Sequence, residues 1–189
     1  MNIALLVLRL VPGLLFMGHG LQKLVSPKIA PKVLAANGPR GTGAFFDQAG
    51  MRPGVLLAVV AGLAELVGGF SIAAGLLTPI GTAVLAAVMT VAILRIHLSK
   101  GIWNTAGGFE FPLLMLTVAY VVSAIGPGSL SIDSWAGIGN WSGIHWAAEN
   151  AVRAGAAVGI GAAAGVLSLA AGQLGRLARR ERHKLSPVH

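Results

Sequence analysis

Cysteine is absent from this 189-residue chain, which excludes disulfides, thiol redox relays and thiolate metal sites. Any redox chemistry would therefore need a bound cofactor or a partner protein. Charged residues are also scarce, at 11% of the chain, whereas a soluble domain carries about 25%. Hydrophobic residues reach 55% and the mean hydropathy is +0.78. This balance indicates a surface that faces lipid, and we expect the length to hold one bundle of four or five helices.

Five apolar stretches approach the roughly 20 residues that a helix needs to cross about 30 Å of hydrocarbon. Thr78-Pro79 separates the second stretch from the third, because proline cannot continue a helix and restricts the residue before it. The sequence therefore predicts an all-α, polytopic membrane helix bundle. Its spans are expected at residues 3–24, 54–77, 79–98 and 109–125, with a fifth at 154–174.

The fifth stretch is rich in alanine and glycine and is the least apolar of the set. Gly155 and Gly159, then Gly161 and Gly165, repeat the small-xxx-small spacing that lets helix backbones approach closely. In so simple a composition this spacing also arises by chance. We expect residues 1–133 to form a four-helix membrane domain, and residues 134–189 to hold a tryptophan-rich segment, the fifth span and a basic tail.

The basic residues predict the topology. Most of them lie after the first span, after the third span and in the tail, and five spans place these three regions on one side. The positive-inside rule makes that side cytoplasmic, with the N-terminus outside and the C-terminus inside. Trp135, Trp141 and Trp146 then lie in an outer segment at the membrane surface, where indole rings are favoured. The net charge of +8 is read as a topology signal and a contact to anionic lipid, not as a nucleic-acid surface.

Arg9 and Glu65 are the clearest charges inside the apolar stretches. Such residues cost at least about 2.5–3.5 kcal/mol near the bilayer centre and usually face the bundle interior. The expected depths of the two differ by only a few ångströms, so we predict that they form an intramembrane pair. The pair is interpreted either as a structural device or as a site that handles protons or holds a polar ligand head.

A second group of polar residues gathers near the ends of the first and third spans and the start of the fourth. Each alone is typical of a solvated helix end, but together they predict a polar pocket under an apolar ceiling, suited to a quinone or a lipid headgroup. They lack local ligand spacing, and no metal is expected. The glycine-rich stretch Gly38–Gly43 is interpreted as a flexible turn. The pocket residues are His19, Gln22, Lys23, Arg95, His97 and Glu110.

Several short motifs, taken in order over residues 5–133, resemble the DoxX family of small bacterial membrane proteins. The resemblance ends at Asp133, so the tryptophan-rich segment and fifth span look like an extension. The matching motifs are Leu8-Arg9-Leu10, His19-Gly20-Leu21-Gln22-Lys23, Gly62-Leu63-Ala64-Glu65-Leu66-Val67-Gly68-Gly69, Gly75-Leu76-Leu77-Thr78-Pro79, Gly107-Gly108-Phe109-Glu110-Phe111-Pro112-Leu113, Gly126-Pro127-Gly128 and Leu130-Ser131-Ile132-Asp133.

The resemblance implies a four-helix membrane core in a bacterial cytoplasmic membrane. Some DoxX-like proteins are associated with quinone-linked oxidation of reduced sulfur compounds, and others are thought to hold soluble redox enzymes at the membrane. It suggests an oxidoreductase subunit that binds quinone, has no cofactor of its own and is not catalytic alone. A non-catalytic scaffold and a small transporter are the alternatives, and self-association is left open. The matching polar positions are Arg9, His19, Gln22, Lys23, Glu65, His97 and Glu110.

Overall fold

The structure is a computed structural model that describes residues 2–138 and 154–170. All regular secondary structure in these residues is helical, and the expectation of an all-α membrane bundle is confirmed. Three helical stretches, Asn2–Leu24, Gly54–Ala74 and Thr78–Lys100, are long and apolar enough to cross a membrane. The α-helices are α1 (Asn2–Leu24), α2 (Gly38–Gln48), α3 (Gly54–Ala74), α4 (Thr78–Ala92), α5 (Glu110–Ile125), α6 (Ile132–Trp135) and α7 (Ala154–Ala170).

Helices α1, α3, α4 and α5 run alternately up and down, so the bundle has two ends. We call them the Asp133 end, where α1 and α4 begin, and the Arg95 end, where α3 and α5 begin. One apolar cluster in the bundle interior joins all four helices. It consists of Phe16, Ile72, Leu85, Met89, Met115 and Ala119.

The backbones of α1 and α3 touch at two pairs of glycines. A Cβ atom added to Gly13 would lie 2.7 Å from the carbonyl oxygen of Gly69, and one added to Gly20 would lie 2.6 Å from that of Gly62. Real Cβ atoms do not approach oxygen so closely, so the contact needs glycine. Because van der Waals packing drives helix association in lipid, these contacts determine the antiparallel register of α1 and α3.

The interpretation of Gly38–Gly43 as a flexible turn is wrong, because these residues form the first half of α2. Pro39 lies at the start of the helix, where its preset φ angle favours helix formation. Phe46 then packs against Met51 and Ala58. Burial of this side chain compensates for the weak helix propensity of the glycines.

Helix α4 does not end as a regular α-helix. It continues as a π-helical turn over Ile93–His97 and a 3₁₀ turn over Leu98–Lys100. Such π turns are rare and are often found at functional sites. The turn carries Arg95 and His97, two of the predicted pocket residues.

Helix α7 packs against α4 through the second of its two predicted glycine pairs. A Cβ atom on Gly161 or Gly165 would collide with the carbonyl oxygen of Ala83 or Ala87, respectively, whereas Gly155 meets no such neighbour. The contacts follow the same order along both helices, so α7 runs parallel to α4 and points toward the Arg95 end. The predicted span at 154–174 extends beyond the described residues, and its crossing of the membrane stays a prediction.

Alanine at Gly13 tests the α1–α3 contact. We expect Gly13→Ala to lower the free energy of unfolding by about 1–3 kcal/mol, because the added methyl group overpacks the helix contact. Gly18→Ala is the matched control on the same helix, since a Cβ atom there meets nothing within 4 Å. Unfolding in mixed micelles measures both variants. Equal stability of Gly13→Ala and Gly18→Ala would contradict the close contact.

Candidate functional site

A buried ion pair joins α1 to α3. The Nζ of Lys23 lies 2.6 Å from Oε2 of Glu65, and the side chains are 18% and 5% exposed. Lys23 also donates to the backbone carbonyl of His19 at 3.2 Å. Helical side chains lean toward the N-terminus of their helix, and this lean carries the ammonium group from the end of α1 back to the level of Glu65.

The predicted pair between Arg9 and Glu65 is wrong. The glycine register of α1 and α3 places Arg9 opposite Ala73, which is about two turns, or roughly 12 Å, beyond Glu65 along α3. Arg9 is fully buried, and its Nη2 donates to the carbonyl oxygen of Leu130 at 2.5 Å. Depth estimated from the sequence could not distinguish these partners, because it assumed a register for the two helices.

Asp133 and Arg9 are buried charged residues at the Asp133 end. The Asp133 carboxylate accepts hydrogen bonds from the backbone N–H of Leu77 at 2.7 Å and of Thr78 at 3.1 Å, and from the Thr78 hydroxyl at 3.0 Å. It therefore caps the start of α4, where N–H groups lack helical partners and a negative charge is favoured. The buried guanidinium of Arg9 lies nearby, against Gly75, whose carbonyl oxygen accepts from the backbone N–H of Asp133 at 2.9 Å. The motif that contains Asp133 does not by itself indicate this role, although a buried arginine is expected to have an acidic residue nearby as its counter-charge.

A cavity of about 900 Å³ opens in the half of the bundle nearer the Arg95 end. Its walls are mostly apolar and come from α1 to α5 and from the second half of α7. The structure brings five of the six predicted pocket residues to its surface, together with Glu65. These polar lining residues are His19, Gln22, Lys23, Glu65, Arg95 and His97.

Arg95 joins the π-helical turn to the end of α2. Its Nη2 donates to the carbonyl oxygens of Ala49 at 3.3 Å and Gly50 at 3.4 Å. Among the residues that the structure describes, no carboxylate forms an ion pair with it. The one acidic residue on the described cavity wall, Glu65, already pairs with Lys23. Arg95 and Arg52, which also lines the cavity, therefore give this wall a net positive charge.

Two histidines line the cavity, and each has one ring nitrogen in a contact within the protein. His97 Nδ1 lies 2.7 Å from the carbonyl oxygen of Gly107; because a carbonyl only accepts, Nδ1 donates and Nε2 is left for another partner. His19 Nδ1 lies 3.1 Å from Oε1 of Gln22, and its ring packs at a tilt against Phe111 with centroids 6.2 Å apart. This arrangement can hydrogen-bond the oxygens of a ligand head.

Glu110, the sixth predicted pocket residue, does not line the cavity. Its side chain is directed to its own loop, where Oε2 accepts from the backbone N–H of Asn104 at 2.9 Å. The prediction that Glu110 lines the pocket is wrong, because its carboxylate, at the start of a helix, accepts a hydrogen bond from the backbone of the preceding loop. Within residues 2–138 and 154–170, no three His, Asp or Glu side chains are grouped closely enough to hold a metal ion.

A double-mutant cycle tests the Lys23–Glu65 pair. We expect Lys23→Met to destabilise the protein by about 3–5 kcal/mol, since it leaves a buried carboxylate without its partner. Adding Glu65→Gln should recover much of that loss. Arg9→Met and Glu65→Gln should instead be additive to within about 0.5 kcal/mol, as expected for separated residues. Coupling of Glu65 to Arg9 rather than to Lys23, measured by equilibrium unfolding, would refute the register.

Substitution of Asp133 tests the cap on α4. We expect Asp133→Asn to cost about 1–3 kcal/mol, because backbone N–H groups lose a buried charged acceptor. Asp47→Asn provides the comparison: Asp47 also accepts from a backbone N–H, that of Gly54 at 2.9 Å, but its side chain is 42% exposed, so water replaces part of the interaction. A smaller effect at Asp133 than at Asp47 in thermal unfolding would argue against the buried cap.

The family model described as DoxX matches residues 4–98, about half of the chain. The matched part includes α1 to α4 and the π-helical turn, and therefore both partners of the Lys23–Glu65 pair and both Arg95 and His97. No curated protein matches the chain, and no solved structure does.

Proposed function

The chain belongs to the DoxX family, and we propose that this multi-pass membrane protein is a redox-associated subunit that binds a quinone in its cavity. A redox enzyme, soluble or membrane-bound, would be its partner, with quinone-linked oxidation of a reduced sulfur compound as the reaction class. One cavity of about 900 Å³ has both apolar walls and polar side chains, and this combination is the main support for quinone binding.

The residues on the cavity wall fit such a ligand. Quinone rings carry carbonyl oxygens that need hydrogen-bond donors, and their tails need apolar surroundings. Lys23 has three N–H groups and uses two of them, toward Glu65 and the carbonyl of His19. His97 retains Nε2, and Arg95 contributes a positive charge. The apolar side chains around them would exclude water and hold the tail.

The chain's own residues would bind and orient the quinone and exchange protons with it, while the quinone, when bound, would accept electrons. Glu65 and the two histidines are the groups suited to proton exchange near the ring. With no cysteine in the sequence, a thiol relay within the chain is excluded, so we expect the partner enzyme to deliver the electrons. The basic residues toward the Arg95 end favour a bacterial cytoplasmic membrane with that end inside.

A scaffold that anchors soluble enzymes is the second candidate, and one surface favours it. In the loop after α1, Ile29 is 80% exposed and Val33 is 93% exposed, beside exposed Lys28 and Lys32. A mixed apolar and basic surface of this kind suits a protein partner or an anionic membrane surface. The scaffold does not require a ligand in the cavity.

Filling the cavity distinguishes the two candidates. We expect Ala61→Phe, on the cavity wall, to lower the amount of co-purifying quinone by about ten-fold or more, which corresponds to about 1.4 kcal/mol of binding. Leu63→Phe is the matched control, because Leu63 on the same helix is 48% exposed on the outer surface. Native mass spectrometry of protein released from its own membranes measures bound quinone and bound proteins together.

Quinone bound to the parent protein and to Leu63→Phe, but lost from Ala61→Phe, would support the redox subunit. A soluble enzyme retained by all three proteins, with quinone in none of them, would overturn quinone binding and favour the scaffold.

A further inference from the structure

Polar side-chain contacts join some of the helices around the cavity to their neighbours. Lys23 and Glu65 join α1 to α3, Arg95 joins α4 to the end of α2, and His97 joins α4 to the loop before α5. Each of these polar contacts would have to break before its helices could separate within a medium of low dielectric constant, where an unpaired polar group is costly.

Helix α7 lacks such a contact within the part of the chain that the structure describes. Its described side-chain hydrogen bond is internal, from the Ser168 hydroxyl to the carbonyl oxygen of Gly165 at 2.7 Å. Its first half is anchored by Val158, which packs on the interior cluster, and by Ala154, which is fully buried. Its second half is held by the approach of Gly165 to Ala87.

The same second half forms one wall of the cavity. Ala164, Gly165, Ser168 and Leu169 all line it. Separation of this segment from α4 would therefore open the cavity toward the lipid. Among the described residues, that motion would break packing contacts but no side-chain hydrogen bond between helices, and lipid tails are as apolar as the side chains that they would replace.

We propose that residues 164–170 of α7 are a gate through which a membrane-phase amphiphile enters the cavity sideways from the bilayer. The gate opens at the contact between Gly165 and Ala87, while the first half of α7 stays packed on the interior cluster. The proposal rests on the proposed ligand site and identifies its ligand as one that partitions into lipid. Helix α7 lies outside the segment that the family model matches, residues 4–98.

A disulfide across the contact tests the gate. The chain has no cysteine, so Ala87→Cys with Gly165→Cys introduces a single reactive pair. A Cβ atom on Gly165 lies 3.4 Å from the Cα of Ala87 and 2.7 Å from its carbonyl oxygen, so cysteines at these positions are close enough to crosslink, and the crowding by the new side chain is common to the oxidised and reduced forms. The reduced form of the same protein is the reference, so any effect of the substitutions themselves cancels.

Gly68→Cys with Val84→Cys is the matched control. It crosslinks α3 to α4, where a Cβ atom on Gly68 lies 3.3 Å from the Cβ of Val84, and neither residue lines the cavity. The probe is a photoreactive short-chain quinone analogue supplied in liposomes of phosphatidylethanolamine and phosphatidylglycerol. The measurement is the rate at which the probe labels the cavity wall after mixing.

We expect oxidation of the Ala87→Cys, Gly165→Cys protein to slow labelling by about ten-fold or more, as for a closed gating segment, and oxidation of the control protein to leave the rate unchanged. Equal rates for oxidised and reduced protein would overturn the gate and leave quinone binding intact. An absence of labelling in all reduced proteins would overturn quinone binding, and the gate for this ligand with it.

Discussion

Contact between the backbones of α1 and α3 determines the rest of the arrangement. Gly13 meets Gly69 and Gly20 meets Gly62, and this register decides which charges can reach one another. Glu65 comes within reach of Lys23, whereas Arg9 is carried to the other end of the bundle. In lipid no hydrophobic force sets such a register, so small residues and polar contacts must do so.

The polar residues then divide into two groups with different surroundings. At the Asp133 end, Arg9 and Asp133 are buried and bonded to backbone groups of connecting segments, an arrangement that closes the bundle. Toward the Arg95 end, Lys23 and Glu65 lie on the wall of a cavity. The buried residues at the Asp133 end bond to the protein backbone, whereas the cavity wall leaves donors and acceptors that a ligand could use. The proposed ligand site therefore lies in only one half of the bundle.

Much of the fold was predictable from hydropathy, because the spans, the Thr78-Pro79 break and the gathering of polar residues near one end are local patterns. The pairing of charges was not, since it depends on helix register and on the backward lean of Lys23. Helix α2 was not predictable either, because its glycines favour a turn and the helix depends on the packing of Phe46 against α3. Glu110 was misplaced for a related reason: its nearest partner was the backbone of its own loop. Long-range packing, not composition, decided each of these cases.

Glu65 is paired with Lys23 inside the bundle, and a distance measured in a lipid bilayer tests this pairing most directly. Solid-state NMR of protein with ¹⁵Nζ-labelled lysine and ¹³Cδ-labelled glutamate, reconstituted in liposomes, reports such contacts by dipolar recoupling. The Nζ–Oε2 distance of 2.6 Å predicts strong recoupling that disappears in Lys23→Met. Recoupling of the Glu65 carboxyl carbon that persists in that variant, or coupling of the Glu65 carboxylate to an arginine guanidinium instead, would contradict the pairing of Glu65 with Lys23.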